Sequence, residues 1–395
     1  MGTESLRPPL TGIGNYTLNL LREFQALSDI EATDCFDGDQ FLSAERVLSS
    51  FDLPQLPADA GAPPRLLMSQ LRSTLRALPL AYRLKSAWSS ARFKHGLKCR
   101  QNVIYHEPNF ILKPCDGPSV TTVHDLSFIR YPEFHPPERV AWLNQQLPQT
   151  LDRADAVITD SDVVRTELIE QFGVKPDRVR SIYLGADARF MPRSASATAS
   201  VLAKYGLAHG RYLAFVGTIE PRKGLSVLLD AWQCLPAKVR QAWPLVIAGA
   251  PGWRNVELLN RIQVLQAKGD VRFLQFLNAH DLPFIYAGAA TFVYPSVYEG
   301  FGLPVLEAMA SGVPVICGEG TSMAEFSDGA CKLFDLNDSM SLTQAILELL
   351  EDPHQRAHLS RVGGGRAEDF SWKRCAQETV QVYRNAEKNS YTQGS

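Results

Sequence analysis

Two glutamates with seven residues between them, Glu299 and Glu307, stand in the string YPSVYEGFGLPVLE that runs from 294 to 307. The string predicts a strand ending near Pro295, a loop through Glu299, Gly300, Phe301 and Gly302, and a helix opening at Leu303 or Pro304. Proline is tolerated in a first helical turn, and glycine lets the backbone pass close to a ligand. A glycine loop entering a helix offers unbonded N–H groups and the positive end of the helix dipole to an anion. One turn inside that helix, Glu307 can accept hydrogen bonds from vicinal hydroxyls such as those of a ribose. Glu299, in the loop, can reach a sugar hydroxyl on the other side of the phosphates. Taken alone, the pair is equally well explained as two surface carboxylates of an ordinary strand-to-helix loop.

A second string, FVGTIEPRKG at 215–224, also follows a strand and precedes a helix pattern. It sets Arg222 and Lys223 side by side at the carboxyl end of a strand, where ligands bind in open α/β sheets. A planar guanidinium next to a point-charge ammonium suits a diphosphate. Cations at a helix start oppose its dipole, so a bound anion gives the arrangement a purpose that a solvated pair lacks. In VTTVHDL, His124 and Asp125 follow another buried strand, and their alternatives are a satisfied near-core histidine and a capping aspartate. Gly12 and Gly14 in TGIG precede a helix pattern and can bring backbone N–H groups to a phosphate, although GxG alone is a weak signal.

These residues need a scaffold, and the chain supplies alternating elements. Strands are expected at 120–123, 156–159, 179–183, 212–216, 245–248, 271–274, 291–294, 313–316 and 332–334, each a short apolar run. Amphipathic helices are expected between them at 162–172, 225–235, 256–267, 304–310 and 339–350. Such alternation implies βαβ units in doubly wound sheets. With 395 residues the chain suits two domains. The expected division is 1–190, a linker at 191–200 rich in small polar residues, 201–370, and a C-terminal helix and tail at 371–395 that packs back on the first domain.

Composition excludes several classes. Hydrophobic residues make up 45%, charged residues 21%, and the net charge is −2, so no basic domain calls for nucleic acid. The seven cysteines are scattered without metal-ligand spacing, which points to reduced thiols and a cytoplasmic protein. No apolar run marks a signal peptide or a membrane span. From 65 to 100, however, nine Lys or Arg occur without one Asp or Glu, interleaved with leucines, Trp88 and Phe93. That stretch reads either as a solvated basic helical face or as a peripheral contact with the anionic inner face of a membrane.

Together the strings resemble glycosyltransferase family 4, retaining transferases whose GT-B architecture sets two Rossmann-like domains facing across a cleft. PSVYEGFGLPVLEAMASGVPVI is similar to that family's donor-site signature almost residue for residue, with Glu299 and Glu307 as its E-x7-E. The resemblance extends over 12–26, 106–188 and 212–384. It implies that Glu307 holds the donor ribose and Glu299 the transferred sugar. Arg222 and Lys223 would neutralise the diphosphate, and Phe301, Gly302 and Leu303 would offer backbone amides. Gly12 and Gly14 would approach the phosphate from the opposing domain, His124 would lie near sugar and acceptor, and Phe276 would meet the base. Relatives of this type transfer mannose or a related deoxyhexose in O-antigen and other surface-polysaccharide assembly. A nucleoside-diphosphate sugar, with a GDP-sugar favoured, is then the co-substrate, a lipid-linked or soluble glycan the acceptor, and no metal or other cofactor is required. Two departures stand out. Thr218 replaces an arginine common in relatives, and the hydrophobic first strand before TGIG is missing from the N-terminal domain. The alternatives are a non-catalytic GT-B-like scaffold in a polysaccharide assembly complex and a nucleotide-sugar 2-epimerase.

Overall fold

Six parallel strands stand in the spatial order Lys332–Phe334, Val315–Gly318, Thr291–Tyr294, Leu213–Val216, Leu245–Ala248 and Val271–Leu274. The four inner strands are buried almost throughout, and the two edge strands only in part. Near-continuous apolar runs such as LVIA and TFVY follow from that, because both faces of an inner parallel strand are covered. Read in chain order, the strand sequence reverses direction between Leu213–Val216 and Thr291–Tyr294. This is the topological switch point of a doubly wound sheet, the place where such sheets bind ligands at their carboxyl ends.

This computed structural model describes residues 1–7, 10–52, 79–100, 102–252, 255–269, 271–275 and 277–393. A second sheet of four strands has the order Tyr105–Glu107, Ser119–Val123, Ala156–Thr159 and Val179–Ser181. Contacts divide the chain into two compact units. One comprises Met1–Val123, Leu147–Ile158 and Ala376–Ser395; the other comprises His124–Gln146 and Thr159–Cys375.

In the first unit, helix Gly12–Ala26 is capped by Thr11, whose hydroxyl accepts from the Gly14 amide at 3.5 Å. Its buried Tyr16 bonds Thr122 at 3.0 Å, and Thr122 in turn bonds His106 at 2.8 Å. Tyr383 of the C-terminal helix Trp372–Gln393 bonds the other ring nitrogen of His106 at 2.7 Å. Among the described residues no named strand precedes Gly12–Ala26, yet the position is not empty. Thr3 donates to the Phe36 carbonyl at 2.8 Å, Phe36 to the Met1 carbonyl at 2.9 Å, and Gly2 to the His106 carbonyl at 2.9 Å. Three residues thus bridge the hairpin strand Asp34–Phe36 and the strand Tyr105–Glu107 where a full first strand would run.

The segment 191–200, expected as an irregular linker, is helical from Ala195, within Ala195–Lys204. Ser194 caps it by accepting from the Ala197 amide at 3.2 Å, and Thr198, Val201 and Leu202 are buried along one face. Alanine and a serine cap favour helix, so small-residue composition was the wrong sign of irregularity here. Of the basic stretch 65–100, residues 65–78 lie outside the described residues, and the rest falls largely in helix Pro79–Leu97. Among the described residues, no helix is long and apolar enough to cross a membrane.

Candidate active site

The two strands at the switch point feed two loops that hold each other. After Leu213–Val216 the chain makes a tight turn, Pro221–Lys223, and enters helix Leu225–Cys234 through Gly224, which has φ 67°. A Cβ at Gly224 would lie 1.9 Å from the Pro295 carbonyl oxygen of the neighbouring loop, so only glycine permits this approach. Val297 closes the contact by donating to the Arg222 carbonyl at 3.0 Å. After Thr291–Tyr294 the loop through Glu299 ends at Gly302, φ 108°, which opens helix Leu303–Ala310 with Pro304 in its first turn.

Within this frame the Glu299 carboxylate joins both cations. Lys223 Nζ lies 2.5 Å from Oε1 and Arg222 Nη1 lies 3.1 Å from Oε2. Ser296 and Tyr294 also donate to Oε1, at 2.6 and 3.1 Å. Arg222 further donates to the Tyr298 carbonyl at 2.7 Å and pairs with the buried Glu220 at 3.1 Å. Burial disfavours the Glu299 charge, but Arg222, then Lys223, outweigh it and hold the carboxyl down to about 2. Burial likewise opposes the charge on Arg222, and Glu299, Asp125 and Glu220 more than restore it, raising its pKa. For Lys223 burial prevails and its pKa is lowered.

Glu307 has no such company. Burial pushes its carboxyl up to about 7. The Tyr286 hydroxyl stands beside it yet closes no hydrogen bond of good geometry. Among the described residues Tyr286 is the one donor that offsets its burial, and it does so only in part.

His124 and Asp125 enter the same unit from the end of Ser119–Val123. His124 Nδ1 lies 2.7 Å from Asp160 Oδ2, both side chains almost completely buried. Asp125 accepts from the amide and hydroxyl of Ser127 at 2.9 and 2.6 Å. Burial works against its charge, but Arg222 and the Ser127 bonds keep its pKa below the usual value. Gly300 meets this turn directly, since a Cβ there would stand 1.9 Å from the His124 carbonyl oxygen. Tyr298 adds a tie, accepting from the Leu126 amide at 3.0 Å and donating to Glu167 at 2.5 Å.

The structure therefore gathers Arg222, Lys223, Glu299, Asp125 and the His124 turn, with the start of Leu303–Ala310 following the same loop. The Phe301 ring is buried and stacks on Phe326 at 4.4 Å, so only its backbone is available to a ligand. Gly12 and Gly14 belong to the other compact unit, at the head of Gly12–Ala26. Phe276 lies outside the described residues. Sequence reasoning missed Glu220, Ser296, Tyr298 and Asp160. The first three sat inside the quoted strings, and Asp160 follows its strand just as His124 follows the neighbouring one. Among the described residues, no cluster of three His, Cys, Asp or Glu could hold a metal ion.

Chemically, the cluster is a cation pair set at strand carboxyl ends beside a helix start, with hydrogen-bonding carboxylates around it. That combination can take a phosphate-bearing ligand with hydroxyls. Comparison with known proteins agrees. Residues 10–190 match Glycosyltransferase Family 4, and residues 203–364 match Glycosyl transferases group 1. An O-antigen chain mannosyltransferase B of Escherichia coli is 37% identical over 391 residues, covering 97% of this chain and 98% of its own. WaaG, a glycosyltransferase involved in lipopolysaccharide biosynthesis, is similar in structure with a TM-score of 0.69 at 14% identity, over 95% of this chain and 96% of its own. Anabaena HepE, solved with UDP and glucose, gives 0.64 at 20% identity over 96% and 97%. The two solved structures speak for the fold, and the full-length relative for descent. This chain belongs to the family 4 glycosyltransferases and has their two-domain α/β GT-B fold.

Proposed function

We propose that this chain transfers a hexosyl group, mannose or a related deoxyhexose, from a nucleoside-diphosphate sugar to a glycan acceptor in surface-polysaccharide assembly. A GDP-sugar is the favoured donor, the acceptor is lipid-linked, and the anomeric configuration is retained. The observation that carries this reading is the Arg222–Lys223–Glu299 cluster at the switch point of the sheet. The choice of mannose follows the Escherichia coli relative's name.

In this reaction the acceptor oxygen bonds to the anomeric carbon while the bond from that carbon to the phosphate oxygen breaks. The electron pair leaves with the nucleoside diphosphate, and the acceptor's proton passes to the departing phosphate on the same face. Arg222 and Lys223 stabilise the charge that develops on the leaving group, with the amides of Gly302 and Leu303 at the helix start. Glu307 accepts from the ribose hydroxyls. At Glu299, Oε1 already takes three donors, so Oε2 is the oxygen that can accept from the transferred sugar. His124 lies beside that sugar. The two protein cations supply the charge, so turnover persists after exhaustive treatment with a chelator. Residues 1–190 serve the acceptor and 201–370 the donor. Trp88, 53% exposed with Arg92 over its ring at 4.8 Å, supports peripheral contact of the 65–100 segment with an anionic membrane.

A panel of nucleoside-diphosphate sugars with lipid-linked glycan acceptors tests the reading through nucleotide release and product mass. Nucleotide release and an acceptor heavier by one hexose or deoxyhexose, with GDP-mannose or a GDP-deoxyhexose, are expected. Nucleotide binding without turnover would point instead to the scaffold, and an epimerised sugar formed without acceptor to the epimerase. Sedimentation with anionic but not zwitterionic vesicles checks the membrane contact.

A further inference from the structure

Asp160 is a carboxylate that the fold keeps at a cost. It is 4% exposed, and its Oδ1 has no hydrogen-bond partner among the described residues. A buried carboxylate with one empty oxygen is unfavourable unless the other oxygen does something specific. That other oxygen, Oδ2, lies 2.7 Å from His124 Nδ1. The pairing follows from topology. Ser119–Val123 and Ala156–Thr159 are neighbours in the four-stranded sheet, and His124 and Asp160 are the first residues past their respective ends. Ser161 then caps helix Asp162–Phe172, with its hydroxyl accepting from Val164, which fixes the backbone on the far side of Asp160.

We propose that Asp160 is a positioning residue for His124: it holds the proton on Nδ1 and thereby sets the chemical character of Nε2 toward the donor sugar. Burial raises the Asp160 pKa and the adjoining imidazole opposes that rise; as a carboxylate Asp160 can only accept, and the ring then carries its proton at Nδ1. With the proton held there, Nε2 accepts in the neutral imidazole and donates in the imidazolium. In metal sites the partner that orients a ligating histidine contributes about 10- to 100-fold in affinity or activity, and an effect of that order is expected here. This inference rests on the placement of His124 beside the sugar proposed above.

The test combines Asp160→Asn, His124→Gln and the double variant with ring-nitrogen NMR of His124. Asparagine keeps the shape of the side chain but can present either an acceptor or a donor to Nδ1. The expected result is a fall in kcat of about 10- to 100-fold for Asp160→Asn with donor KM within about 2-fold. In the His124→Gln background the same substitution should change kcat by less than about 2-fold. A merely structural carboxylate would cost the same in both backgrounds, and that outcome overturns the proposal. In the wild-type protein, long-range nitrogen–proton correlations should show His124 protonated at Nδ1; a bare Nδ1 overturns it without any variant. Because that spectrum needs no substrate, failure of the proposed reaction and failure of the Asp160–His124 pairing remain distinguishable.

Discussion

Glu299 and Glu307 belong to one motif and lie on either side of the same helix start, yet their electrostatic states are opposite. Glu299 accepts from Lys223, Arg222, Ser296 and Tyr294, and its carboxyl is held down to about 2. Glu307 faces a tyrosine that closes no good hydrogen bond, and burial lifts it to about 7. Spacing alone treats them as equivalent carboxylates. The difference teaches that one is largely satisfied by the protein, with three donors on Oε1 and one on Oε2, whereas the other waits for donors that a ligand would bring. Glu299 acts as a strut, and Glu307 as a vacancy.

Removing the strut's partners should have the largest effect. Arg222→Ala with Lys223→Ala should lower kcat/KM for the donor by about 1000-fold, since two charge-assisted contacts contribute roughly 1.5–3 kcal/mol each. Folding should weaken as well, because Glu299 and Glu220 lose their counterions in a buried setting. Turnover and denaturant unfolding at neutral pH check both. Next in size, Glu299→Gln should destabilise the protein by about 3 kcal/mol at neutral pH. The wild-type contribution is complete above the ordinary carboxyl value of 4.5 and is lost as pH falls through about 2, so the penalty should shrink in strong acid.

Glu307→Gln should have the opposite sign. Between 4.5 and about 7 the folded protein keeps a proton that the unfolded chain has released. Wild-type stability should therefore decline as pH rises across that window, by about 2 kcal/mol once partial solvent access to the side chain is allowed for. The variant should lose this decline, as urea unfolding from pH 5 to 8 will show; an unchanged slope would sink the assignment. The smallest effect concerns the ligand. If ribose hydroxyls donate to Glu307, nucleoside diphosphate binding near pH 7 should release a fraction of a proton. Calorimetry in buffers of different ionisation enthalpy measures that fraction, and Glu307→Gln should abolish it.

The parts legible in the sequence were those whose grammar is local. Glycines, a proline in a first helical turn and adjacent cations announce the EGFGLP and EPRK loops, and both loops form where expected. Inner strands showed themselves as apolar runs because both faces are covered. What stayed hidden was set by strand order. Asp160 meets His124 across 36 positions, and Tyr298 meets Glu167 across 131. No periodicity carries such pairings. Strands of three residues, Asp34–Phe36, Phe41–Ser43 and Tyr105–Glu107, were too short to show alternation. The helix Ala195–Lys204 was masked by its own alanine and serine content. The opposite states of Glu299 and Glu307 were equally unreadable, since each depends on neighbours brought in from other elements.

Gly300 has a consequence beyond flexibility. With a Cβ only 1.9 Å from the His124 carbonyl oxygen, the glycine is where two turns share a wall one backbone thick. A side chain there would act as a wedge, driving the histidine turn away from the cation pair and lengthening Asp125's reach to Arg222. The position thus works as a calliper, fixing the gap between the two halves of the chemistry by having no side chain.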